Sequence, residues 1–275
     1  MITIDNLSSA VTDSLAGLPE PRQRELLQEL VRTLHDFTRR TGLTHAEWRA
    51  AIGFLHRVGA MSNDSRSEFT LLSDVLGLSS LVDLIGSRPG ATPGSVLGPF
   101  HTAGSPWHDN PANLVRDNAG ERVVLEGRVT DTDGLPLALA TLDFWQNADN
   151  GLYWQVDPDQ PQDNLRCRLR VDAEGRYRIT TVRPQPYCIP MDGPVWHDLF
   201  GPANRTPWRP AHFHLIVEAP GHQSLITEVF DEEDEHLLGD AVFGVRQALV
   251  GRYETGEEGL KTMRFDFKLA RQSAL

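Results

Sequence analysis

Apolar residues recur every three or four positions through the first third of the chain: Leu27, Leu30, Val31, Leu34 and Phe37, then Trp48, Ala51, Ile52 and Leu55. That spacing puts them on one face of successive amphipathic helices. Thr44-His45-Ala46-Glu47 and Ser65-Arg66-Ser67-Glu68 read as capping boxes, in which a hydroxyl and a carboxylate satisfy each other's free backbone amides. Gly42 and Gly59 are placed to end helices. A further helical stretch runs from Glu68 to Leu84, interrupted by Gly77. The run from Arg88 to Ser95 then breaks all periodicity, and Pro99, Pro106 and Pro111 keep the chain irregular to about residue 120, as an ordered connection or a linker.

From about residue 121 the period changes to two. Val123, Leu125 and Val129 alternate with Glu126 and Arg128, Asp131 to Gly134 reads as a turn, and Ala140, Leu142 and Phe144 alternate with Thr141 and Asp143. Arg166 to Val171 and Arg176 to Thr181 flank Asp172-Ala173-Glu174-Gly175, predicting a hairpin with Cys167, Leu169 and Val171 inward and the arginines in water. His212 to Glu218, Leu225 to Phe230 and Met263 to Leu269 add short strands between Pro and Gly turns. The pattern predicts an α+β protein: a helical domain over residues 1–95, then an antiparallel β-sandwich over residues 96–275.

The 275 residues, 40% hydrophobic and 23% charged, suit an ordinary globular chain. Lys and Arg number 26 against 38 Asp and Glu, and a net charge of −12 argues against nucleic acid as a partner. The two cysteines, Cys167 and Cys188, form no disulfide framework and suit a reducing compartment. The chain begins without a basic-then-apolar leader and contains no apolar run of membrane-spanning length. The expectation is a cytoplasmic protein with no membrane partner.

The most informative run is Trp208-Arg209-Pro210-Ala211-His212-Phe213-His214-Leu215-Ile216-Val217. On a strand, His212 and His214 project to the same side while Phe213, Leu215 and Val217 face the opposite layer, a geometry that suits a metal clamp. Two solvated or mutually satisfied histidines are the plainer alternative. Glu218 lies at the distance that cupin folds use for a carboxylate ligand, but the glycines that flank the cupin motif are missing. Tyrosine is another oxygen donor, and there are four: Tyr153, Tyr177, Tyr187 and Tyr253. Tyr177 falls mid-strand, as a core residue would, whereas Tyr153 and Tyr187 lie in irregular segments that can aim a side chain at a metal.

Gly151-Leu152-Tyr153, Tyr187-Cys188-Ile189-Pro190 followed by Asp192-Gly193-Pro194, and Arg209-Pro210-Ala211-His212-Phe213-His214 together resemble the signature of the intradiol ring-cleaving dioxygenases. The helical half, including Glu68 to Gly77 and Leu81 to Asp83, is similar to the linker domain of the catechol and hydroxyquinol 1,2-dioxygenase branch, as are Val96 to Phe100 and Asp240 to Val245. Protocatechuate 3,4-dioxygenase subunits lack such a half. The resemblance implies one non-haem Fe(III) per subunit, held by Tyr153, Tyr187, His212 and His214. Ferric iron and phenolate are a hard acid and a hard base, so the metal can deprotonate tyrosines whose free pKa is about 10. It also implies an aromatic diol or triol and O2 as partners, with Tyr187 leaving the metal to take up a substrate proton and Arg209 stabilising charge on the ring.

Carried over in the same way, the pocket wall includes Leu71, Asp74, Val96, Leu97, Gly98, Pro99, Phe100, Ile189, Pro190 and Val242. Asp74 suits a third hydroxyl, so the expected substrate is hydroxyquinol (benzene-1,2,4-triol), opened to maleylacetate. Catechol or a chlorocatechol, giving cis,cis-muconates, is the alternative substrate, and a transthyretin-like binding module without catalysis is the alternative of another class. Where many relatives carry Gln to support the arginine, this chain has Glu228, which would either pair with Arg209 or turn outward. The apolar helical half implies a homodimer, and relatives bury a phospholipid at that interface.

Overall fold

The computed structural model describes residues 1–63, 66–256 and 259–272, in two compact units, Met1–His56 and Arg57–Leu275. The first unit contains α1 (Leu7–Ser14), α2 (Pro21–Thr41) and the start of α3 (His45–Met61). Pro21 sits in the first turn of α2, where its missing N–H costs nothing, and Gly42 ends the helix in the left-handed conformation at φ 61°. The Thr44–Glu47 capping box forms at the start of α3, with the Glu47 carboxylate accepting from the Thr44 amide at 2.9 Å. Gly59, by contrast, does not stop α3. It keeps a right-handed backbone, and without the left-handed turn a glycine does not end a helix.

In this unit α2 buries none of its residues, and Leu26, Leu30, Leu34 and Phe37 stay 47–53% exposed. Its contacts with α1 include hydrogen bonds, as where Gln28 donates to the Thr12 carbonyl at 2.8 Å. The α1 helix was not legible in the sequence, because it is short and carries no apolar stripe.

The second unit takes in the end of α3 together with α4 (Glu68–Val75), α5 (Leu78–Gly86) and every strand. The break between α4 and α5 falls at Gly77, as its φ of 73° requires. Ser67 caps α4 by accepting from the Thr70 amide. Ser65, the first residue of the second capping box, lies outside the described residues.

The strands are β1 (Ala112–Asn113), β2 (Arg122–Asp131), β3 (Thr141–Trp145), β4 (Arg166–Arg170), β5 (Arg176–Val182), β6 (Tyr187–Cys188), β7 (Trp208–Arg209), β8 (His212–Glu218), β9 (Leu225–Asp231), β10 (Val250–Gly251), β11 (Tyr253–Thr255), β12 (Lys261–Arg264) and β13 (Phe267–Leu269). One sheet runs β1-β5-β2-β12-β11 with β13 also on β2, the other runs β10-β9-β8-β3-β4, and β6 pairs β7. Between the two sheets lies a core built from Val123, Leu125, Val129, Leu142, Phe144, Phe213, Leu215 and Val217 among others.

Four sequence-based expectations need correction. The sandwich is mixed: β1, β12, β13 and β10 pair parallel to their neighbours. Period-two patterning reports which face is buried and says nothing about direction, and the long crossovers that parallel pairing needs are present here. The predicted hairpin is a corner. Its turn forms, but β4 pairs β3 in one sheet and β5 pairs β2 in the other. Arg166 is buried, its guanidinium engaged by Thr102 and Ser105 of the 88–120 connection, which is therefore ordered. The stretch Met263 to Leu269 is two strands, divided at Phe265 and Asp266 beside Gly127 of β2, with the parallel register on β2 unchanged across the break.

That close approach is possible because Gly127 has no side chain. A Cβ there would sit 1.8 Å from the Phe265 carbonyl oxygen, and the neighbouring amide of Arg128 is already satisfied by the Asp266 carboxylate at 2.8 Å. Gly127→Ala must open the β2–β12–β13 junction, at an expected cost of about 3 kcal/mol. Thermal unfolding should fall by roughly 6–12 °C; an unchanged melting temperature would mean the junction is not needed.

Candidate metal centre and its arginine clamp

The site lies on the outer face of the second sheet. Along β8 the side chains of Phe213, Leu215 and Val217 enter the core, which turns His212 and His214 to the other side, where both are only 2% exposed. Strand register gives His214 two fixed neighbours, Trp145 on β3 and Glu228 on β9. The Trp145 indole stacks on the His214 ring at 4.8 Å with the planes 3° apart.

Pro210 breaks the chain between β7 and β8, and its carbonyl oxygen accepts from His212 Nδ1 at 2.6 Å. A carbonyl only accepts, so the proton is on Nδ1 and Nε2 presents its lone pair. That Nε2 atom faces His214 Nε2 at 3.1 Å. Both rings are held neutral. Burial, reinforced by the Arg209 charge, pushes His212 down to about 3. Burial and the neighbouring His212 take His214 well below the usual range.

Two phenols complete the cluster. Gly151, at φ 78°, turns the chain so that Tyr153 stacks on Phe100 at 4.6 Å. Tyr187 stands edge-on to Tyr153 at 5.5 Å, and the β6–β7 register sets it opposite Arg209. Centroids 5.7 Å apart join Tyr187 to His212, and 6.2 Å separate Tyr153 from His214, so the four rings enclose one spot. The Tyr153 hydroxyl is buried there without a well-formed hydrogen bond. Burial, then the adjacent Tyr187, raises Tyr153 well above the ordinary phenol range; burial also raises Tyr187, with Arg209 opposing it. Two neutral imidazoles and two neutral phenols therefore converge on a site where a hard cation would find four donors.

Arg209 is 2% exposed and clamped. Asp240 takes its Nε at 3.0 Å and an Nη at 3.3 Å, while Glu228 lies 2.8 Å from the same outer nitrogen. Its other Nη is 3.2 Å from His212 Nε2. Asp240 also accepts from the amides of Val242 and Gly244, and though burial alone would raise it, Arg209 holds it below the usual carboxylate range. Glu228 is fully buried and accepts from the Ser95 hydroxyl at 2.5 Å. Burial outweighs Arg209 there and pushes it up to about 7.

Glu228 thus turns inward and pairs with Arg209, whereas Glu218 is exposed and takes no part in the cluster. Among the expected wall residues, Leu97 packs on the Phe100–Trp145–Tyr153–Tyr187 cluster, and a Cβ on Gly98 would meet the His214 ring at 3.2 Å. Leu71, Val96, Ile189 and Val242 are buried, at 1–2% exposure. A cavity of about 200 Å³ borders Tyr153, Tyr187, Phe100 and Pro190; Leu71, Asp74, Val96, Leu97, Gly98, Pro99, Ile189 and Val242 do not line it. Asp74 is 1% exposed and its Oδ1 has no hydrogen-bond partner. Burial pushes it up to about 6, only partly offset by the Ser79 hydroxyl and Arg209. Arg205 fastens this end of α4 to the loop after β9, donating to the carbonyls of Val75 and Ala241.

Sequence reasoning had not singled out Ser95, Trp145 or Asp240 for these roles. Trp145 was findable from strand pairing. Asp240 and Ser95 sit in loops, where nothing local reports a partner 31 or 133 positions away.

A family profile described as "Catechol dioxygenase N terminus" matches residues 20–92, and one described as "Dioxygenase" matches residues 96–271. A 6-chlorohydroxyquinol 1,2-dioxygenase of Cupriavidus pinatubonensis is 42% identical over 96% of each chain. A hydroxyquinol 1,2-dioxygenase of a Rhizobium species is 41% identical over 90% of this chain and 85% of its own. The crystal structure of hydroxyquinol 1,2-dioxygenase from Pseudomonas putida DLL-E4 superposes with a TM-score of 0.84 at 40% identity, covering 98% of this chain and 99% of that one. Two profiles matched in chain order, relatives aligned nearly end to end and a buried cluster of two His and two Tyr agree: the chain belongs to the intradiol ring-cleaving dioxygenases, in the branch of catechol and hydroxyquinol 1,2-dioxygenases.

Proposed function

We propose that the protein cleaves hydroxyquinol between its two adjacent hydroxyl-bearing carbons, inserting both atoms of O2 to give 3-hydroxy-cis,cis-muconate, whose keto form is maleylacetate. The observation that carries this reading is the meeting of two buried, neutral imidazoles, nitrogen to nitrogen at 3.1 Å, beside a buried phenol whose hydroxyl makes no well-formed hydrogen bond. Both nitrogens can turn a lone pair to a single cation, and phenols raised by burial ionise only against a strongly acidic one. The donor set fits one non-haem Fe(III) per subunit, held by Tyr153, Tyr187, His212 and His214. Iron there would supply the Lewis acidity that makes a bound diolate reactive toward O2.

The chain's own residues divide the remaining work. Tyr187 Oη, beside the Arg209 guanidinium, accepts a proton from the incoming diol. Arg209 cannot deprotonate and is fixed by two carboxylates, so it offers positive charge to the ring oxygens without reorganising. Trp145, Phe100 and Leu97 keep water away. Asp74 supports the triol over catechol: its unpaired Oδ1 is a buried acceptor that a third hydroxyl would satisfy.

Purified protein should be red-brown, and Tyr187→Phe should shift or bleach that colour and abolish ring cleavage. Wild-type colour and turnover in the variant would remove Tyr187 from the ligand set. In oxygen-uptake assays with hydroxyquinol, catechol and chlorocatechols, kcat/KM should favour hydroxyquinol. Asp74→Ala should cut the hydroxyquinol-to-catechol ratio by about 10-fold or more, the worth of one hydrogen bond to a charged group. A preference for catechol, or a ratio that ignores the substitution, would overturn the substrate.

The reading includes a homodimer through residues 1–95, with 96–275 as the catalytic domain. On α2 and α3, Leu26, Leu30, Leu34, Phe37, Trp48, Ile52 and Leu55 are 40–53% exposed, an apolar stripe that a symmetric partner would cover. A phospholipid at that interface would satisfy the same stripe. Two unpaired cysteines support a cytoplasmic location. Sedimentation should give twice the subunit mass, and Leu30→Glu with Leu34→Glu should halve it; a wild-type monomer at micromolar concentration would reject the dimer.

A further inference from the structure

The buried charges around Arg209 do not balance. Asp240 meets the guanidinium at 3.0 and 3.3 Å and takes two backbone amides besides, so cation and anion are matched. Glu228 is then surplus. It is 0% exposed, its Oε2 is served by the neutral Ser95 hydroxyl, and its Oε1 makes no well-formed hydrogen bond, although it is 2.8 Å from the Arg209 Nη that Asp240 shares. That oxygen also lies 3.4 Å from His212 Nε2 and 3.5 Å from His214 Nδ1. A buried carboxylate that must share its counter-charge is costly, and a metal ion held by the two imidazoles would be a second cation beside it.

The two histidines also differ behind their donor atoms. His212 Nδ1 donates to the Pro210 carbonyl, a neutral acceptor, whereas His214 Nδ1 has no hydrogen-bond partner and faces the Glu228 carboxylate. The arrangement is built in, because the β8–β9 register opposes His214 and Glu228. A carboxylate behind a ligand imidazole raises its basicity, and losing such a partner typically costs 10- to 100-fold in metal affinity. An amide of the same shape would fill the space without supplying the charge.

We propose that Glu228 is a positioning residue of the metal centre: Asp240 balances Arg209, while Glu228 acts through His214 to favour a trivalent over a divalent cation. The inference rests on the iron site proposed above. Its test is Glu228→Gln in the iron-loaded protein, a change that keeps the volume and a partner for Ser95. The Fe(III)/Fe(II) midpoint potential should rise, the tyrosinate-to-iron absorption band should move to lower energy, and release of iron to a chelator should quicken about 10-fold or more. Lower turnover with potential, band and release all unchanged would mean that Glu228 serves only Arg209, and would overturn the proposal. Should the amide variant not fold, Glu228→Asp withdraws the charge by one methylene and should move the potential the same way by less; no movement overturns the proposal equally. A wild-type protein that is colourless and takes up no iron would instead sink the metal centre itself, a failure visible before any variant is made.

Discussion

The structure around the site depends on one buried cation. Arg209 cannot lose its proton and cannot reach water, so the chain must bring it negative charge from elsewhere. It does so from two distant places: Glu228 in the middle of β9, and Asp240 in the loop that carries the chain from β9 to β10. Removing one partner of a buried pair costs about 3–5 kcal/mol, a large share of a domain's net stability, so these contacts fix the loop as firmly as the core fixes the strands. The loop shows the consequence. Phe243 is held at φ 58° and Gly244 has carboxylates 2.7 and 2.9 Å from where a Cβ would be, a conformation that persists because Asp240 accepts the backbone amides on both sides of it.

The same clamp explains why short helices belong with the sheets. Arg205 joins the end of α4 to Ala241, and the Ser80 hydroxyl donates to the Phe243 carbonyl, so α4 and α5 are moored to the loop that Arg209 organises. Asp74 is consequently carried into the interior and cannot relax toward solvent. The compact unit therefore begins at Arg57, well before the point where the hydrophobic period changes. A change of period reports a change of secondary structure. It does not report which elements share a core.

What the sequence made legible follows from whether information was local. His212 and His214 could be paired from residues two apart on one strand, and the alternation that turned them outward is the one that buries Phe213 and Leu215. Gly42 and Gly77 announced their breaks because glycine takes left-handed backbone at little cost, although Gly59 shows that it need not. The errors are non-local. The turn at Asp172 to Gly175 is real, but a turn does not say whether its strands stay in one sheet, and here they part. The arginines of β4 alternate correctly, yet Arg166 is buried because the connection that carries Thr102 and Ser105 covers that outer face. Tyr153 and Tyr187 could be tied to the histidines only through resemblance to a family, since no periodicity links two loops to a strand.

In the proposed function, chemistry and selectivity come from different parts of this arrangement. The donors and Arg209 are set by strand register, by Pro210 and by a two-stranded pairing, all of which change only if the sheet changes. In the proposed reading the wall falls to α4 and to the segment from Val96 to Phe100, which supply none of the four donors. Asp74, on α4, is buried with one acceptor oxygen unpartnered. Glu228 is the exception to this separation, because it touches Arg209 and both histidines at once. A change there cannot alter the arginine's charge balance without also altering the imidazoles. On the proposed reading, substrate preference is thus freer to change through α4 than through β9, where any change at 228 meets Arg209 and both histidines together.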